Sequence, residues 1–322
     1  MSNEPYLVTG AAGCIGIWVL RNLVREGTPV TVLDVDAKRH RLPLVLTDKE
    51  IARIQFIHGD VSDFPTVEKA LKESGANRII HLAALQLPFC KADPLAGARV
   101  NVVGTVNIFE AAKRLGLKSL VYASSTAVYG LSEEYPEEPL AHDAPLKPRS
   151  HYGVYKQANE GTAAVYSRDD GIASIGLRPY VVYGAGRDQG ITSTPTKAIL
   201  AAAAGQSYKI SYGGRYCFQY ADDTAKAFIQ AARAEMSGAQ VFNIGGNSVS
   251  TVEVIAAIEQ ADSSARGRIT FDDVPLPFPP EVDNRALVEA IGPLTFTPLT
   301  DGVAETLSIF RRALAEGKVK AE

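Results

Sequence analysis

A glycine-rich turn near the start of the chain limits the possible fold more than any other feature. Residues 6–16 read YLVTGAAGCIG, in which a short apolar segment leads through three glycines into a helical pattern (Gly10, Gly13 and Gly16). Glycine is needed where the backbone takes positive φ or approaches a ligand, and the first amides of a helix are unpaired donors with partial positive charge. A strand, a glycine turn and a helix start in this order predict a phosphate site. The spacing is GxxGxxG rather than GxGxxG, so for this segment alone an ordinary strand-to-helix turn is the alternative.

The next predicted strand, residues 29–36, carries an acidic residue that favours NAD as the ligand. Asp34 stands at the tip of this strand, where a carboxylate accepts hydrogen bonds from both hydroxyls of an adenosine ribose and repels a 2′-phosphate. Lys38 and Arg39 follow closely and could accommodate such a phosphate. The sequence therefore favours NAD over NADP without excluding NADP.

Composition and charge narrow the classes of function. Of 322 residues, 46% are hydrophobic and 21% charged, and the formal net charge is −3. The chain can therefore bury a large core, and its charge gives no reason to expect binding to nucleic acid or to an anionic membrane. Cys14, Cys90 and Cys217 lack metal-ligand spacing, which predicts free thiols and no metal site. No apolar run is as long as a membrane span and no signal-peptide pattern is present, so we expect a cytoplasmic protein.

Strands and helices alternate through the first 180 residues. Strands that are apolar on both faces and separated by helices imply a parallel sheet covered on both sides. The predicted fold class is therefore α/β, a doubly wound parallel sheet of the Rossmann type over residues 1–180. Further strands are predicted at 53–58, 78–82, 119–123 and 173–177, and helices at 15–26, 67–74, 94–116, 152–170, 194–205 and 221–234.

Residues 181–322 are expected to form mainly a smaller C-terminal substrate lobe. Within it, a short strand at 241–245 is expected to return to the main sheet. The segment 274–283 contains four prolines and is predicted to have no regular structure.

Catalytic residues are predicted where the strands of the sheet end, because open α/β sheets bind ligands there. Ser125 follows the strand at 119–123, and Tyr152 and Lys156 share one face of a predicted helix. A lysine ammonium beside a phenol would lower its pKa from about 10, so Tyr152 could take a proton from an alcohol while hydride leaves for a nicotinamide. Ser125 would hold the substrate oxygen. A Tyr-x-x-x-Lys match occurs by chance in roughly half of such chains, so its position in the fold is what supports this prediction.

Eight motifs in a fixed order resemble a known family. They are TGAAGCIG, LDVD, GDVSD, HLAA, NVVGT, ASSTAVYG, YGVYK and LRPYVVYG, and together they look like the extended short-chain dehydrogenase/reductases, the NAD-dependent epimerase/dehydratase family, over about residues 5–185. The resemblance implies that the glycine turn binds the NAD pyrophosphate, Asp34 the adenosine ribose, and Tyr180 the nicotinamide. Carried over by position, the cofactor-binding residues are Gly10, Gly13, Cys14, Ile15, Gly16, Asp34, Asp60, Val61, Leu82, Ala83, Ala84, Leu85, Tyr152, Lys156 and Tyr180.

Three departures from the family pattern concern the substrate. Thr126–Ala127 stand where the 4,6-dehydratases of the family carry an acid and base pair, so elimination chemistry is not expected. Val181 stands where nucleotide-sugar epimerases usually have an asparagine, and the segment 274–283 stands where they have an Arg-Pro-Gly-Asp segment. In those enzymes the asparagine and the Arg-Pro-Gly-Asp segment hold the nucleotide diphosphate. Arg215 is the one basic residue that matches a family phosphate position. We therefore expect a compact sugar or sugar acid rather than a UDP- or dTDP-sugar, with substrate contacts from Gln86, Ser125, Arg187 and Arg215.

The predicted function is an NAD-dependent oxidoreductase or epimerase that oxidises a secondary alcohol of a sugar or sugar-acid-like substrate, with Tyr152 as general base. A UDP-sugar 4-epimerase is the alternative within this class. A non-catalytic NAD-binding sensor or scaffold is the alternative from another class, although a sensor would have no need of the Ser125, Tyr152 and Lys156 set. Apolar residues on more than one face of the helices at 94–116 and 152–170 predict, as in the family, a homodimer formed through a four-helix bundle.

Overall fold

The architecture comes from a computed structural model that describes residues 4–136 and 138–321. In this part of the chain the strands are β1 (Tyr6–Thr9), β2 (Val30–Asp34), β3 (Gln55–His58), β4 (Arg78–His81), β5 (Ser119–Ala123), β6 (Ala173–Arg178), β7 (Val181–Tyr183), β8 (Tyr208–Ile210), β9 (Arg215–Tyr220), β10 (Ala239–Asn243), β11 (Asn247–Ser250) and β12 (Ile269–Phe271). The helices are α1 (Cys14–Arg25), α2 (Leu42–Val45), α3 (Asp48–Ile51), α4 (Phe64–Ser74), α5 (Leu87–Ala92), α6 (Pro94–Ala98), α7 (Gly104–Arg114), α8 (His151–Asp170), α9 (Thr194–Ala203), α10 (Ala221–Arg233), α11 (Thr251–Ala261), α12 (Arg285–Ile291) and α13 (Leu299–Ala315).

A sheet of seven parallel strands forms the centre of the molecule. Its order is β10-β6-β5-β4-β1-β2-β3, so the chain builds outward from β1 to β3 and then returns to place β4 on the other side of β1. At this reversal the connections from β1 and β4 leave toward opposite faces, which opens a crevice at the carboxyl ends of the strands. The predicted doubly wound Rossmann fold is confirmed, and β10 pairs in parallel with β6 at the edge of the sheet.

Helices cover both faces of this sheet because its strands are apolar on both sides. On one face α1 packs against α10, and Trp18, Leu20 and Phe228 belong to the same buried cluster. On the other face Val67 of α4, Ile108 of α7 and Ala163 of α8 form a second cluster. Each strand therefore removes both of its faces from water, which is the arrangement that the continuous apolar runs predict.

The helix predicted at 94–116 is interrupted. Residues Arg99–Val103 between α6 and α7 form a π-helical turn, which carries one extra residue and is typical of functional sites. Asn101 lies in this turn and is fully buried. Its amide accepts a hydrogen bond from Leu85 N (2.7 Å) and donates one to Leu85 O (2.9 Å), so the irregular turn holds the segment that follows β4.

Residues 181–321 are called here the second part. They return β10 to the main sheet, cover it with α10, and otherwise form smaller units beside it. They include a three-stranded sheet of order β11-β9-β7 and the pair β12-β8, while α13 packs against α9 and α11. Sequence patterns predicted α9 and α10 but missed β9, α11 and α13. The segment 274–283 contains no helix or strand, as predicted, and makes isolated bridges through Pro275 and Val282. No helix in the described residues has the length and apolar character needed to cross a membrane.

Candidate active site

A cavity of about 700 Å³ lies at the carboxyl ends of the parallel strands. It is lined by the glycine turn after β1, the segment 82–88 after β4 and residues 123–127 after β5. The loop at 186–192, which belongs to the second part, also lines it. The cavity therefore occupies the crevice that the strand order creates.

The glycine turn has the conformation expected of a phosphate site. Gly10 has φ +66°, and a Cβ at this position would lie 2.5 Å from the Cα of Ala83, so a larger residue would displace the neighbouring strand end. The N-cap residue of α1 is Gly13. This end of the helix has no side-chain cap and no acidic residue in its first turn. Its amides are thus left for a ligand, and a pyrophosphate fits such a helix start.

Asp34 is fixed at the tip of β2, facing the cavity. Its Oδ2 accepts a hydrogen bond from Ala12 N (2.9 Å) and its Oδ1 one from Asp36 N (2.8 Å), which leaves each oxygen a lone pair for a ribose hydroxyl. Neither Lys38 nor Arg39 lines the cavity, and the Arg39 guanidinium lies 3.7 Å from the ring centre of Phe56. This arrangement fits NAD better than NADP.

The cavity brings together nearly all of the predicted site residues. Of the predicted cofactor-binding residues only Lys156 is missing from its wall, and of the predicted substrate contacts only Arg215 is missing. The residues in the wall are Gly10, Gly13, Cys14, Ile15, Gly16, Asp34, Asp60, Val61, Leu82, Ala83, Ala84, Leu85, Gln86, Ser125, Tyr152, Tyr180 and Arg187.

Ser125 lies just after β5 and Tyr152 lies near the start of α8, and both line the cavity. The Ser125 hydroxyl caps the short turn that follows β5 and accepts a hydrogen bond from Ala127 N (3.1 Å). Tyr152 stands in the first turn of α8, which Ser150 caps by accepting from Gly153 N (3.1 Å). Enclosure of the phenol raises the pKa of Tyr152, and a hydrogen bond with Ser125 opposes that shift.

Lys156 lies one helical turn after Tyr152 on α8, as predicted, but it does not line the cavity. It is buried, its Nζ donates a hydrogen bond to Ala123 O (2.6 Å), and the same Nζ lies 5.7 Å from the ring centre of Tyr152. Burial lowers the pKa of Lys156 to about 8. Burial raises the pKa of Tyr152 and the Arg187 guanidinium opposes that shift, so the lowering of this pKa by Lys156 stays a prediction.

A buried ion pair fixes α8 one turn beyond Lys156. Glu160 on α8 accepts hydrogen bonds from Arg178 at the end of β6, through Nε (2.8 Å) and Nη2 (2.7 Å). The Ser124 hydroxyl donates to the same carboxylate (2.5 Å). Because a fork-to-fork pair sets direction as well as distance, this contact fixes the helix that carries Tyr152 against β5 and β6.

Arg187 extends into the cavity from the loop that follows β7. Its Nη2 donates to Thr192 Oγ1 (3.0 Å) and its Nη1 to Gln86 Oε1 (3.4 Å). Among the residues that the structure describes, none accepts a hydrogen bond from its buried Nε. A guanidinium with a free donor in the cavity wall can bind an anionic or hydroxyl group of a substrate.

Arg215 does not reach the cavity, which corrects its prediction as a substrate contact. Its Nη1 donates to Ser248 O (2.8 Å) and its Nη2 to Glu253 Oε2 (3.0 Å). The cause is the pairing of β9 with β11, in which Arg215 faces Ser250, the residue that caps α11 together with Glu253. The carboxylate that completes this cap also captures the arginine on the exposed surface.

Several residues in the cavity wall had no sequence signal. Arg41 and Asp188 stand in segments without a recognised motif, and Leu276 and Phe278 come from the proline-rich segment. Their approach depends on contacts between distant parts of the chain, which neither spacing nor periodicity reports. No group of three or more His, Cys, Asp or Glu side chains in the described part is arranged to hold a metal ion.

Comparison with known proteins decides the family. The model of the NAD dependent epimerase/dehydratase family matches residues 6–245. The chain belongs to this family. As predicted, it is an NAD-dependent enzyme of the extended short-chain dehydrogenase/reductase type, and NAD, which the glycine turn and Asp34 fit, is its cofactor.

Members of the family resemble the chain over nearly its whole length. A UDP-glucose 4-epimerase of Mycolicibacterium smegmatis is 32% identical, over 95% of this chain and 98% of that protein. The structure of a Thermus thermophilus UDP-glucose 4-epimerase in complex with NAD matches with a TM-score of 0.79 at 26% identity, covering 96% of this chain and 99% of the other. The structure of MoeE5 in complex with UDP-glucose and NAD matches with a TM-score of 0.80 at 28% identity and the same coverage.

Proposed function

We propose that this protein oxidises a secondary alcohol of a sugar or sugar acid, with Tyr152 as the general base. The observation that supports the proposal most directly is that Tyr152, Ser125 and Arg187 line the same cavity as the segment that follows β4. A phenol, a hydroxyl and a guanidinium in this arrangement can orient a hydroxyl group and remove its proton. A sensor would require none of the three.

Proton removal depends on the charges around Tyr152. Bound NAD supplies the acceptor for the hydride that leaves the substrate carbon. The Ser125 hydroxyl holds the reacting oxygen of the substrate, and the proton on that oxygen passes to Tyr152 Oη. Because burial raises the pKa of this phenol, its ionised form needs nearby cations. Arg187 supplies one, and Lys156, whose Nζ lies 5.7 Å from the ring centre of Tyr152, supplies another.

The positions at which related dehydratases carry an acid and a base for the elimination of water have no such groups in this cavity. Thr126, at the position where related dehydratases carry an acid, donates its hydroxyl hydrogen to Pro179 O (3.3 Å) and is buried. Ala127 has no functional group. The site therefore supports oxidation, alone or followed by return of the hydride in an epimerisation, rather than loss of water.

We favour a compact, acidic substrate over a nucleotide sugar. A nucleotide diphosphate carries two negative charges and needs several charge-assisted donors. Arg215 is held by Glu253 outside the cavity, Val181 is buried and apolar, and the proline-rich segment contributes Leu276 and Phe278 to the wall. Arg187 can bind a single carboxylate.

A UDP-sugar 4-epimerase is the second candidate, because the Mycolicibacterium smegmatis relative carries that name and the MoeE5 structure contains UDP-glucose. Calorimetry with NAD-loaded protein separates the two. We expect no micromolar binding of UDP, and NADH formation with sugar acids in a panel of sugars, sugar acids and nucleotide sugars. Micromolar UDP binding that is lost in Arg215→Ala would establish the second candidate instead.

We also propose that the protein is a homodimer. Apolar side chains on the helices at 94–114 and on α8 are exposed, with Leu95 at 75%, Val103 at 44%, Val154 at 47% and Val165 at 46%. A single chain gains nothing from exposing them, whereas a two-fold pairing of these helices would bury them. Light scattering at micromolar concentration should give the mass of two chains, and Val154→Asp with Val165→Asp should give one. A wild-type monomer would contradict the proposal.

A further inference from the structure

An ion pair connects the two sides of the cavity mouth. Arg41, which follows β2, donates through Nε to Asp188 Oδ2 (2.9 Å) and through Nη2 to Asp188 Oδ1 (2.9 Å). The Arg41 side chain is only 12% exposed, and His40 Nε2 lies 3.5 Å from the same carboxylate. A forked pair of this kind holds both partners in one geometry, unlike most surface ion pairs.

The pair lies directly beside the glycine turn. Arg41 Nη1 donates to Ala12 O (3.3 Å), a carbonyl within that turn. Arg41 and Asp188 both line the cavity. The guanidinium thus bridges the turn that receives the cofactor and the loop on the opposite wall.

The loop that carries Asp188 packs on the start of α1. Trp18 Nε1 donates to Ala185 O (3.0 Å). A Cβ at Gly186 would lie 2.6 Å from Ile17 Cδ1 and 3.6 Å from the Cα of Cys14, so only glycine allows this approach. The helix start where a pyrophosphate fits is therefore covered by this loop.

Two arginines and one aspartate act on the start of α1. Burial raises the pKa of the Cys14 thiol to about 11, Arg187 and Arg41 oppose the shift, and Asp188 adds to it. Both arginines therefore act on the helix start, and the carboxylate of Asp188 would repel a pyrophosphate if Arg41 did not neutralise it.

We propose that Arg41 and Asp188 form a clasp that closes the loop at 184–190 over the NAD pyrophosphate and retains the cofactor between turnovers. NAD leaves only when the pair opens, so the pair sets the rate of release. The proposal concerns the cofactor and does not depend on which substrate the protein oxidises.

The test is the rate at which NADH leaves the protein. The NADH-loaded protein is mixed with excess NAD in a stopped-flow instrument, and the loss of nicotinamide fluorescence gives the rate without any turnover. We expect Arg41→Met and Asp188→Asn each to accelerate release on the order of tenfold, the size expected for one partly buried charge pair. The double variant should be no faster than the single ones, within about twofold.

Arg39→Met is the matched control, because Arg39 stands in the same segment but packs on Phe56 outside the cavity wall. It should release NADH at the wild-type rate. If Asp188→Asn instead slowed release while Arg41→Met accelerated it, Arg41 would be a phosphate contact that Asp188 weakens, and the clasp would be excluded. Unchanged release in both variants would also exclude it.

Discussion

The two parts of the molecule that meet at the cavity hold their site residues in different ways. In the part before residue 181, the glycine turn, Asp34, Ser125 and Tyr152 stand at strand ends and helix starts, where the backbone itself sets their positions. In the second part, Arg187 stands in a loop and is positioned by side-chain contacts to Gln86 and Thr192. We therefore expect proton transfer to depend on the regular frame and substrate choice to depend on Arg187 in the loop.

The two parts also contribute different charged groups to the cavity. The first part contributes the carboxylates of Asp34 and Asp60 and the guanidinium of Arg41, and the second part contributes Arg187 and also Asp188, which pairs with Arg41. Acidic groups suit ribose hydroxyls, and a guanidinium suits an anionic substrate. If this division is right, changes in the first part should affect chemistry or stability, and changes in the loop should affect substrate use.

The largest effect is expected for Tyr152→Phe. Loss of the general base should lower kcat by about 10²–10⁴-fold, with NAD affinity little changed, because the lost interaction is made only in the transition state. Steady-state kinetics together with NADH titration measure both quantities. Turnover at nearly the wild-type rate in this variant would show that Tyr152 is not the general base.

A smaller effect is expected for the loop. Arg187→Gln should lower kcat/KM by about 10–100-fold, the range of one charge-assisted hydrogen bond. The pH range in which kcat/KM increases with pH should also shift to higher pH, because the lost cation had lowered the pKa of Tyr152. The pH profile distinguishes this role from a structural one.

Arg215→Gln is the matched control for that experiment. The side chain is exposed and paired with Glu253, so kcat/KM should stay within about twofold of wild type. Equal losses in the two variants would contradict the assignment of substrate binding to the loop at 186–192.

The smallest effect concerns the frame beneath the cavity. His81 is buried, with Nδ1 2.6 Å from Thr9 Oγ1 and Nε2 3.1 Å from Thr105 Oγ1, and burial lowers its pKa to about 3. Between pH 3 and 6.5 the unfolded chain therefore binds more protons at this residue than the folded chain, so the free energy of unfolding falls as the pH falls. From pH 7 to pH 5 the loss should be on the order of 1–2 kcal/mol.

Urea denaturation of wild type and His81→Gln at both pH values measures this contribution. The variant should lose less stability on acidification than wild type, whatever its stability at pH 7. His58→Gln, at an exposed strand end, is the control and should retain the wild-type difference. An unchanged difference in His81→Gln would show that this histidine does not sense pH in the way proposed.

Local patterns along the chain are sufficient to specify the frame of this protein. The glycine turn, the strands with two apolar faces and the acid at the tip of β2 are such patterns, and in this order they fit a parallel sheet that binds a dinucleotide. The fold and the preference for NAD were predicted from these patterns and the family from the resemblance of eight motifs, and most of the predicted site residues do line one cavity. The segments that local patterns missed, such as β9 and α13, take their structure from burial against the rest of the molecule.

Which charges reach the cavity depends on tertiary packing. Lys156 donates to the Ala123 carbonyl, Arg215 pairs with Glu253, and Arg187 reaches the cavity through contacts to Gln86 and Thr192. The pair of Arg41 and Asp188 joins residues far apart in the chain. Long charged side chains have many rotamers of similar energy, so the partner that packing brings within reach selects among them, and spacing along the chain carries no record of that partner.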